Sequence, residues 1–217
     1  MWHALNETHR KFSYGNEKAR FYLPEYCPFG GHVTGGNILA ALDDFTKLPD
    51  DFFFFGKKPH SSASYQLIGK LVCIQMIIDN RIELDIHDKV IPLTQTHSRE
   101  LFELVNLTQP GYFRKKTILM GNYFGIFENG RLVAAAGERM QMNEYIELSG
   151  IVTHPDMRGR GYAKQLIAHT TNNIFNQTKT PFLHIAEGNW AITLYEKLGF
   201  RERKKIDLWN IARKLNE

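Results

Sequence analysis

The chain has 217 residues, 43% of them hydrophobic and 23% charged, which allows one large domain or two small ones. Its formal charge is +4 and no basic tail accompanies that charge, so an anionic ligand is favoured and a nucleic-acid partner is not expected. The longest apolar run, 71–78, is far shorter than a membrane span, and the first residues contain no apolar signal core. We therefore expect a cytoplasmic protein without a membrane partner.

The chain contains only two cysteines, Cys27 and Cys73. They form no CxxC pair, and no histidine lies at metal-binding spacing from either of them. The sequence therefore predicts neither a disulfide framework nor a metal site.

The first part of the chain, residues 1–87, is irregular and contains no catalytic motif. Its pattern predicts a helix from the start to about Phe21, and a turn-rich stretch at 23–36 follows. Strands are expected at 51–56 and 70–78, where apolar residues are concentrated.

The second part, residues 88–217, has sharper patterns. A strand is expected at 87–94, and Asn129-Gly130 between apolar runs predicts a hairpin over 123–140. Helical candidates precede this hairpin at 98–107 and 112–119. The expected order after the hairpin is a strand at 144–152, a helix from Ala163, a strand at 182–187, a helix from Trp190 that ends at Gly199 and a strand at 202–211.

The strand at 144–152 alternates in side-chain character. Alternation places Ile146, Leu148, Gly150 and Val152 on one face, and Tyr145, Glu147, Ser149 and Ile151 on the other. The strand–helix–strand order that begins here predicts a parallel strand pair, and ligands favour the carboxyl ends of such strands.

Several aromatic side chains are assigned to packing. Trp190, Phe200 and Trp209 lie at positions typical of a core. The four phenylalanines at 52–55 fit a strand buried on both faces, or an acceptor or partner surface that is partly open. The buried strand is the preferred interpretation. The basic cluster Arg201, Arg203, Lys204 and Lys205 is interpreted as a solvated strand edge.

A glycine- and arginine-rich turn, Arg158-Gly159-Arg160-Gly161, separates the strand at 144–152 from the next helix. The first turn of a helix offers unpaired N–H groups and a partial positive charge. Gly159 and Gly161 would let a phosphate approach the backbone, and Arg158 and Arg160 would add charged donors. The dinucleotide and P-loop fingerprints do not fit, since Lys164 stands where a small residue is needed and no Gly-Lys-Ser/Thr occurs. The turn is therefore suited to a diphosphate, although a plain connecting turn stays an alternative.

Two blocks give a resemblance to a known family. Residues 158–163 match the Arg/Gln-x-x-Gly-x-Gly/Ala motif of the GNAT acyltransferases, and "AITLYEKLGFRER" at 191–203 is similar to that family's Ala-x-x-Leu-Tyr-x-x-Leu-Gly-Phe signature. The resemblance covers roughly residues 88–217. It implies a mixed α/β fold: a central mixed sheet with a splayed parallel strand pair flanked by helices, to which this chain adds an N-terminal α/β region.

The resemblance also implies acetyl-CoA as cosubstrate and residues that bind it. The implied contacts to its pantetheine arm come from Ile151, Val152 and Thr153. The implied contacts to its diphosphate come from the segment Arg158, Gly159, Arg160, Gly161, Tyr162, Ala163 and Lys164. The family's asparagine lies seven residues before the signature tyrosine, where this chain has Gly188; Asn189 follows one residue later and is taken as the equivalent contact.

Acyl transfer to an amine needs a neutral amine, a stabilised carbonyl oxygen and a protonated leaving thiolate. By resemblance, Tyr195 is the general acid toward the sulfur, and backbone N–H groups near Ile151 polarise the carbonyl. Glu147 is the candidate general base, with Glu138 and Glu187 as alternatives. His184 is interpreted as packed within its strand.

The function expected from the resemblance is an acyl-CoA-dependent N-acyltransferase, with acetyl as the default group and a small-molecule or peptide amine as acceptor. A non-catalytic acyl-CoA-binding module on the same fold is the alternative. Residues 1–87 are expected to pack against the acyltransferase sheet and close one side of the acceptor site, or to be a degenerate second copy of the fold. The acceptor itself and the oligomeric state are left open.

Overall fold

One mixed sheet organises the chain in the computed structural model, which describes residues 1–33, 51–59 and 63–214. Its spatial order is β1-β2-β3-β4-β11-β5-β10-β9-β8-β7-β6. The strands are β1 Ser13–Gly15, β2 Ala19–Tyr22, β3 Phe29–His32, β4 Asp51–Phe55, β5 Tyr65–Ile77, β6 Ile91–Leu93, β7 Tyr123–Glu128, β8 Arg131–Gln141, β9 Tyr145–Thr153, β10 Thr180–Ala186 and β11 Arg201–Arg213. The helices are α1 Trp2–Asn6, α2 Ser98–Thr108, α3 Tyr162–Asn176 and α4 Ile192–Lys197.

Most predicted elements of the second part are present. The hairpin β7–β8 turns at Asn129 and Gly130, whose φ angles of 50° and 77° are those that a tight turn between twisted strands requires. Helix α3 buries an apolar face that includes Leu166, Ile167 and Ile174 against the sheet. Strands β9 and β10 on either side of α3 are parallel, as the strand–helix–strand order predicts.

The strand β5, from the first part of the chain, lies inside the sheet between β10 and β11. It pairs antiparallel with both, from Phe182 opposite Ile77 on one side to Arg213 opposite Tyr65 on the other. Strand β4 then pairs with the far side of β11 and connects β1, β2 and β3 to the same sheet. The two parts of the chain therefore share one hydrogen-bonded sheet. Their division near residue 88 into domains, and the idea of a degenerate second copy, stay predictions.

Several expectations were wrong. The helix expected up to Phe21 ends at Asn6, and strands β1 and β2 take up the rest, because Ala19 and Phe21 bury against the phenylalanines of β4. The helix at 112–119 is only a 3-10 turn, Thr117–Met120. The turn-rich stretch at 23–36 is described only to Val33, where it contains β3; residues 34–36 lie outside the described residues.

Of two expectations about surface residues, one was wrong and one is confirmed. Trp190 is not in the core, since 78% of its surface is accessible. The basic cluster 201–205 is exposed on a strand edge, as expected, because this part of β11 pairs with β5 alone and β4 pairs only with Leu208 to Ala212.

The thiols of Cys27 and Cys73 are free and buried in the same apolar cluster. Burial raises their pKa, to about 12 for Cys27 and to about 11 for Cys73, so both stay protonated near neutral pH. None of the helices in the described part of the chain combines the length and the hydropathy that a bilayer crossing requires.

Candidate active site

A wedge opens between the parallel strands β9 and β10. Their pairing runs from Tyr145 opposite Thr180 to Glu147 opposite Phe182 and does not continue beyond. Both strands extend further, β9 to Thr153 and β10 to Ala186. The carboxyl ends of the two strands therefore diverge, and this leaves backbone free of inter-strand bonds on the facing edges.

A bulge in β9 lies beside this wedge. Ala135 pairs with Val152 and Gly137 with Ser149, so two residues of β9, Gly150 and Ile151, oppose one residue of β8. Gly150 has φ of 63°, and a Cβ there would lie 3.2 Å from the Tyr123 ring. Glycine therefore suits both the conformation and the space.

The bulge corrects the predicted alternation. Ile146 and Leu148 share a face, as the alternation predicts, and this face is the α3 side of the sheet. Val152, however, joins the cluster on the α2 side, and Ile151 packs on the α3 side. One extra residue exchanges the faces of everything that follows it in a strand. The expected face of Val152 and of Ile151 was therefore wrong.

The edge of β9 that faces the wedge has polar groups. The hydroxyl Oγ1 of Thr153 is buried and has no hydrogen-bond partner among the described residues. The carbonyl of Ile151 accepts a hydrogen bond of 3.3 Å from Gln109 Nε2, which connects the end of α2 to this strand. The hydroxyls of Thr170 and Thr171 on α3 are likewise without a partner among the described residues, so Thr153 is related to the wedge by its place at the end of β9.

The glycine-rich turn directly precedes α3. Gly159 and Gly161 have φ of 80° and 81°, and a Cβ added at either would meet nothing within 4 Å. Gly161 is the N-cap of α3 and offers no side-chain cap, so the first N–H groups of the helix face open space. Arg158, Arg160 and Lys164 around them are exposed. The turn therefore fits an anionic group such as a diphosphate.

The side chains of Tyr162 and Ala163 contribute less to this turn. Tyr162 is buried in the cluster beneath β7 and β8, and its hydroxyl donates to Glu128 Oε1 at 2.5 Å. Ala163 in the first turn is half-buried. Any contact of these two residues with a diphosphate would therefore come from their backbone N–H groups.

Tyr195 lies on α4 within the core cluster that α3 and the sheet form, with its ring edge-on to Phe200 at 5.8 Å between centroids. Burial raises the pKa of Tyr195 well above its ordinary value, so its hydroxyl keeps the proton throughout the neutral range. Such a hydroxyl can donate a proton but does not carry a charge at rest.

Asn189 stands in the turn between β10 and α4. Its side-chain Oδ1 accepts from the backbone N–H of Ala191 at 2.9 Å, and its backbone carbonyl accepts from Ile192. The preceding Gly188 has φ of 78°. Asn189 therefore organises the turn into α4, and its amide Nδ2 is the group that a ligand in the wedge could contact.

Glu147 is fully enclosed, with 1% of its side chain exposed. Arg139 on β8 donates twice to it, from Nε to Oε2 at 2.8 Å and from Nη2 to Oε1 at 2.9 Å. The third contact comes from His184 on β10, whose Nδ1 lies 2.9 Å from Oε1. Burial alone would raise the pKa of Glu147, but the Arg139 charge and these hydrogen bonds outweigh it and hold that pKa far below the usual range.

The two alternative carboxylates have other partners. Glu138 is completely buried and accepts from amide groups of Asn122, Gln141, Asn173 and Gln177, which join β8 to α3. Glu187 forms an exposed ion pair of 2.5 Å with Lys205. Glu138 is therefore enclosed by amides, and Glu187 is engaged at the surface.

A cavity of about 580 Å³ lies beside β10, between the sheet and the N-terminal elements. Its walls include His184, Gln75 on β5, Phe55 on β4 and Tyr145 on β9, and α1 contributes His3 while Glu7 follows it. The phenylalanine run of β4 accordingly has two roles. Phe52 and Phe54 are buried in a core cluster, while Phe55 lines the cavity and stacks on His184 with 4.3 Å between ring centroids.

The sequence interpretation missed two groups that the fold brings together. Arg139 was given no role, and His184 was assigned to packing; both contact Glu147. Tyr123 was also missed: its ring covers Gly137 and Gly150, and its buried hydroxyl has no partner among the described residues. One signal was available for Arg139 and Glu147, because charged residues in strands of otherwise apolar character are rarely buried unless they are paired.

A mixed sheet whose parallel pair splays beside a glycine-rich helix start is the arrangement of the GNAT acyltransferases, the class that the two sequence blocks indicate. The FR47-like protein family model matches residues 123–209. This match lies within the region that the two sequence blocks cover, and with the sheet arrangement it confirms the resemblance to the GNAT acyltransferases and the expected fold class.

Solved structures agree with this assignment. A candidate acetyltransferase of the GNAT family from Novosphingobium aromaticivorans DSM 12444 is 27% identical, with a TM-score of 0.89 over 99% of this chain and 96% of that chain. A GCN5-related N-acetyltransferase-like protein from Streptococcus suis 89/1591 is 16% identical, with a TM-score of 0.55 over 93% and 82% of the two chains, and shows the fold alone. No curated protein matches the sequence of this chain.

Proposed function

We propose that the protein is an acyl-CoA-dependent N-acyltransferase that moves an acetyl group directly to an amine. The observation that carries the proposal is the splayed β9–β10 pair together with the open glycine turn at the start of α3. The first offers a strand edge to a pantetheine arm, and the second offers backbone N–H groups and arginines to a diphosphate.

The residues present fit this cosubstrate. Thr153 has a buried hydroxyl without a partner among the described residues at the strand edge, and Gly159 and Gly161 leave room where a phosphate would lie. We assign the strand contacts to Ile151, Val152 and Thr153, with Asn189 across the wedge. The diphosphate is assigned to the backbone of 158–164 and to the side chains of Arg158, Arg160 and Lys164.

Bound acetyl-CoA would supply a thioester carbonyl to the amine. Tyr195 holds a proton on its hydroxyl at neutral pH, because burial raises its pKa, and we assign to it protonation of the leaving sulfur. The amine acceptor enters through the cavity beside β10. Helix α1 and Phe55 partly close this cavity. The proposed acceptor is a small-molecule amine or a peptide amino group.

The cosubstrate site is tested by thermal unfolding against an acetyl-CoA titration. At 100 times its dissociation constant, a ligand adds about 2.7 kcal/mol to stability, or roughly 5–10 °C in melting temperature for a chain of this size. Gly161→Leu should abolish most of this shift. Gly130→Leu is the matched control, because Gly130 also has positive φ, 77°, and open space for a Cβ, but lies in the β7–β8 hairpin.

Equal loss of the acetyl-CoA shift in both glycine variants would mean that backbone strain, and not the position of Gly161, weakens binding. No shift in the unsubstituted protein with any acyl-CoA would overturn the proposal. Catalysis is tested separately by thiol release with Tyr195→Phe. Loss of turnover with an unchanged acetyl-CoA shift supports an enzyme, whereas binding without turnover in the unsubstituted protein supports the non-catalytic alternative.

A further inference from the structure

A continuous chain of hydrogen bonds crosses neighbouring strands beside the cavity. It begins at Arg139, passes through Glu147 to His184 Nδ1, and continues from His184 Nε2 to Gln75 Nε2 at 3.0 Å. It ends at Arg203, whose Nη1 donates to Gln75 Oε1 at 2.7 Å. Both ends of the chain are arginines, which can only donate.

These two ends determine the tautomer of His184. Because Arg203 donates to Gln75 Oε1, the other atom of that amide is the NH₂ group, which must donate to His184 Nε2. Nε2 is therefore the unprotonated nitrogen, and Nδ1–H donates to Glu147. This orientation of a histidine by a carboxylate is what a general base requires.

His184 is also in the right place. The last paired residues of the wedge are Glu147 and Phe182, and His184 lies two residues further along β10 on the same face as Phe182, where the strands have separated. Its ring is held by Phe55 on one side and forms part of the cavity wall. Only 9% of its side chain is exposed, so the ring is fixed while its unprotonated nitrogen points to Gln75 at that wall.

We propose that His184 is the general base that accepts a proton from the acceptor amine at Nε2, that Glu147 is its positioning residue, and that the side-chain amide of Gln75 occupies the place taken by the N–H of that amine. This inference rests on the proposed acyltransfer. Glu147 cannot itself be the base, because Arg139 and His184 occupy its two oxygens and it has almost no exposed surface.

The proton balance is complete with these residues. An ammonium acceptor loses two protons when it becomes an amide: His184 Nε2 takes the first and passes it to solvent, which leaves a neutral amine to form the new C–N bond. As the C–S bond breaks, Tyr195 gives its proton to the sulfur and regains the second proton of the nitrogen. The sum is one amide, one thiol and one released proton.

The charged groups around His184 set its working range. Glu147 and Arg139 are in contact with each other beside the ring, and the cavity wall adds His3, Glu7, Glu144, Arg203, Lys204 and the amino group of Met1. Burial lowers the pKa of His184 below its ordinary 6.5 more than Glu147 raises it. Nε2 is therefore unprotonated at neutral pH, and kcat should fall only as the pH drops below about 6.5.

The test compares His184→Gln with His169→Gln. The second variant makes the same change on α3, where His169 packs on Phe124 away from the cavity. Thiol release from acetyl-CoA is measured with a panel of an alkyl diamine, free amino acids and a peptide with a free amino terminus, and without an acceptor. General-base catalysis is worth about 10²–10⁴-fold. His184→Gln should lose that factor in kcat and the acid limb of its pH profile, with an unchanged acetyl-CoA melting shift.

A readout without turnover follows the imidazole itself. In protein carrying ¹⁵N-labelled histidine, long-range ¹H–¹⁵N spectra at a pH of about 7.5 should show His184 with Nδ1 protonated and Nε2 unprotonated, the assignment coming from the loss of these signals in His184→Gln. Glu147→Gln should remove this preference for one tautomer, because an amide can offer either a donor or an acceptor to Nδ1.

Each outcome decides something. Turnover in His184→Gln within about threefold of the unsubstituted protein, or an Nε2-protonated His184, overturns the inference and leaves the proposed function standing. If the panel is not turned over, slow thiol release to water is compared, and equal rates in both proteins again overturn the inference. Failure of the unsubstituted protein to bind acetyl-CoA removes the proposed function and, with it, the inference.

Discussion

The Arg139–Glu147 pair offers the sharpest test of how this sheet is held together. The two groups form bidentate hydrogen bonds of 2.8 and 2.9 Å, with 12% and 1% of their side chains exposed. Arg139 also lies 4.8 Å from the centre of the Phe29 ring, so its guanidinium contacts β3 of the N-terminal part as well. Removing one partner of a buried pair costs about 3–5 kcal/mol, because the other charge is left unpaired in a poorly solvated place.

We therefore expect Glu147→Gln and Arg139→Met each to lower the free energy of unfolding by about 3–5 kcal/mol, or roughly 6–20 °C in melting temperature. The double variant removes both charges, and the amide oxygen introduced by Glu147→Gln can still accept a hydrogen bond from His184. It should lose less than the sum of the two single variants, by a coupling energy of about 1–3 kcal/mol.

The assay is urea unfolding followed by circular dichroism, with the double-variant cycle completed at one pH and salt concentration. If both single variants lose less than about 1 kcal/mol, or if the two losses simply add in the double variant, the buried pair does not stabilise the sheet and the argument is refuted. Surface pairs such as Arg201–Asp79, with 60% and 54% exposure, serve as the comparison and should give about 0–1 kcal/mol.

Three further predictions concern pH and packing. The pKa of Glu147 is lower in the folded chain than its usual 4.5, so its contribution to stability is complete above pH 4.5 and is lost as the pH falls toward the folded value. When Glu147 and Arg139 are both replaced, the free energy of unfolding should therefore depend less steeply on pH in the acid range. Burial lowers the pKa of His9 from 6.5 to about 4. The free energy of unfolding should therefore decrease as the pH falls from 6.5 to 4, because the unfolded chain takes up the proton first, and His9→Gln should make it nearly independent of pH in this range. Gly137→Ala would place a Cβ 2.2 Å from the Tyr123 ring and should cost about 1–3 kcal/mol in urea unfolding, whereas a loss under about 0.5 kcal/mol would show that the ring can move aside.

Short sequence patterns were sufficient to predict many of the elements. The Asn129-Gly130 turn needs positive φ at both residues, and the sequence offers the two residue types that accept it. The apolar spacing of α3 and the glycines before it are likewise recognisable within a short stretch of sequence. The family model covers the same region. These features depend on neighbours in the sequence, so a pattern of a few residues is sufficient to predict them.

The arrangement of the first part could not be predicted in this way. Strand β5 is recognisable as apolar, but its place between β10 and β11 depends on partners that lie far along the chain, such as Phe182 for Ile77. The bulge at Gly150 could have been predicted, because an isolated glycine in a strand often marks one. Alternation without a bulge placed Val152 on the wrong face of the sheet.

The sequence by itself determined the glycine- and arginine-rich turn at 158–161, the strand–helix–strand unit that contains it and the resemblance to the GNAT acyltransferases. Only the tertiary structure decided which groups stand together around the wedge. Glu147, His184 and Gln75 come from three strands, and period-two alternation gives the face of each residue but not its neighbour in the next strand. Strand order and register supply that neighbour, and they are set by pairing across the whole sheet, because each hydrogen bond between strands joins segments that the sequence keeps far apart.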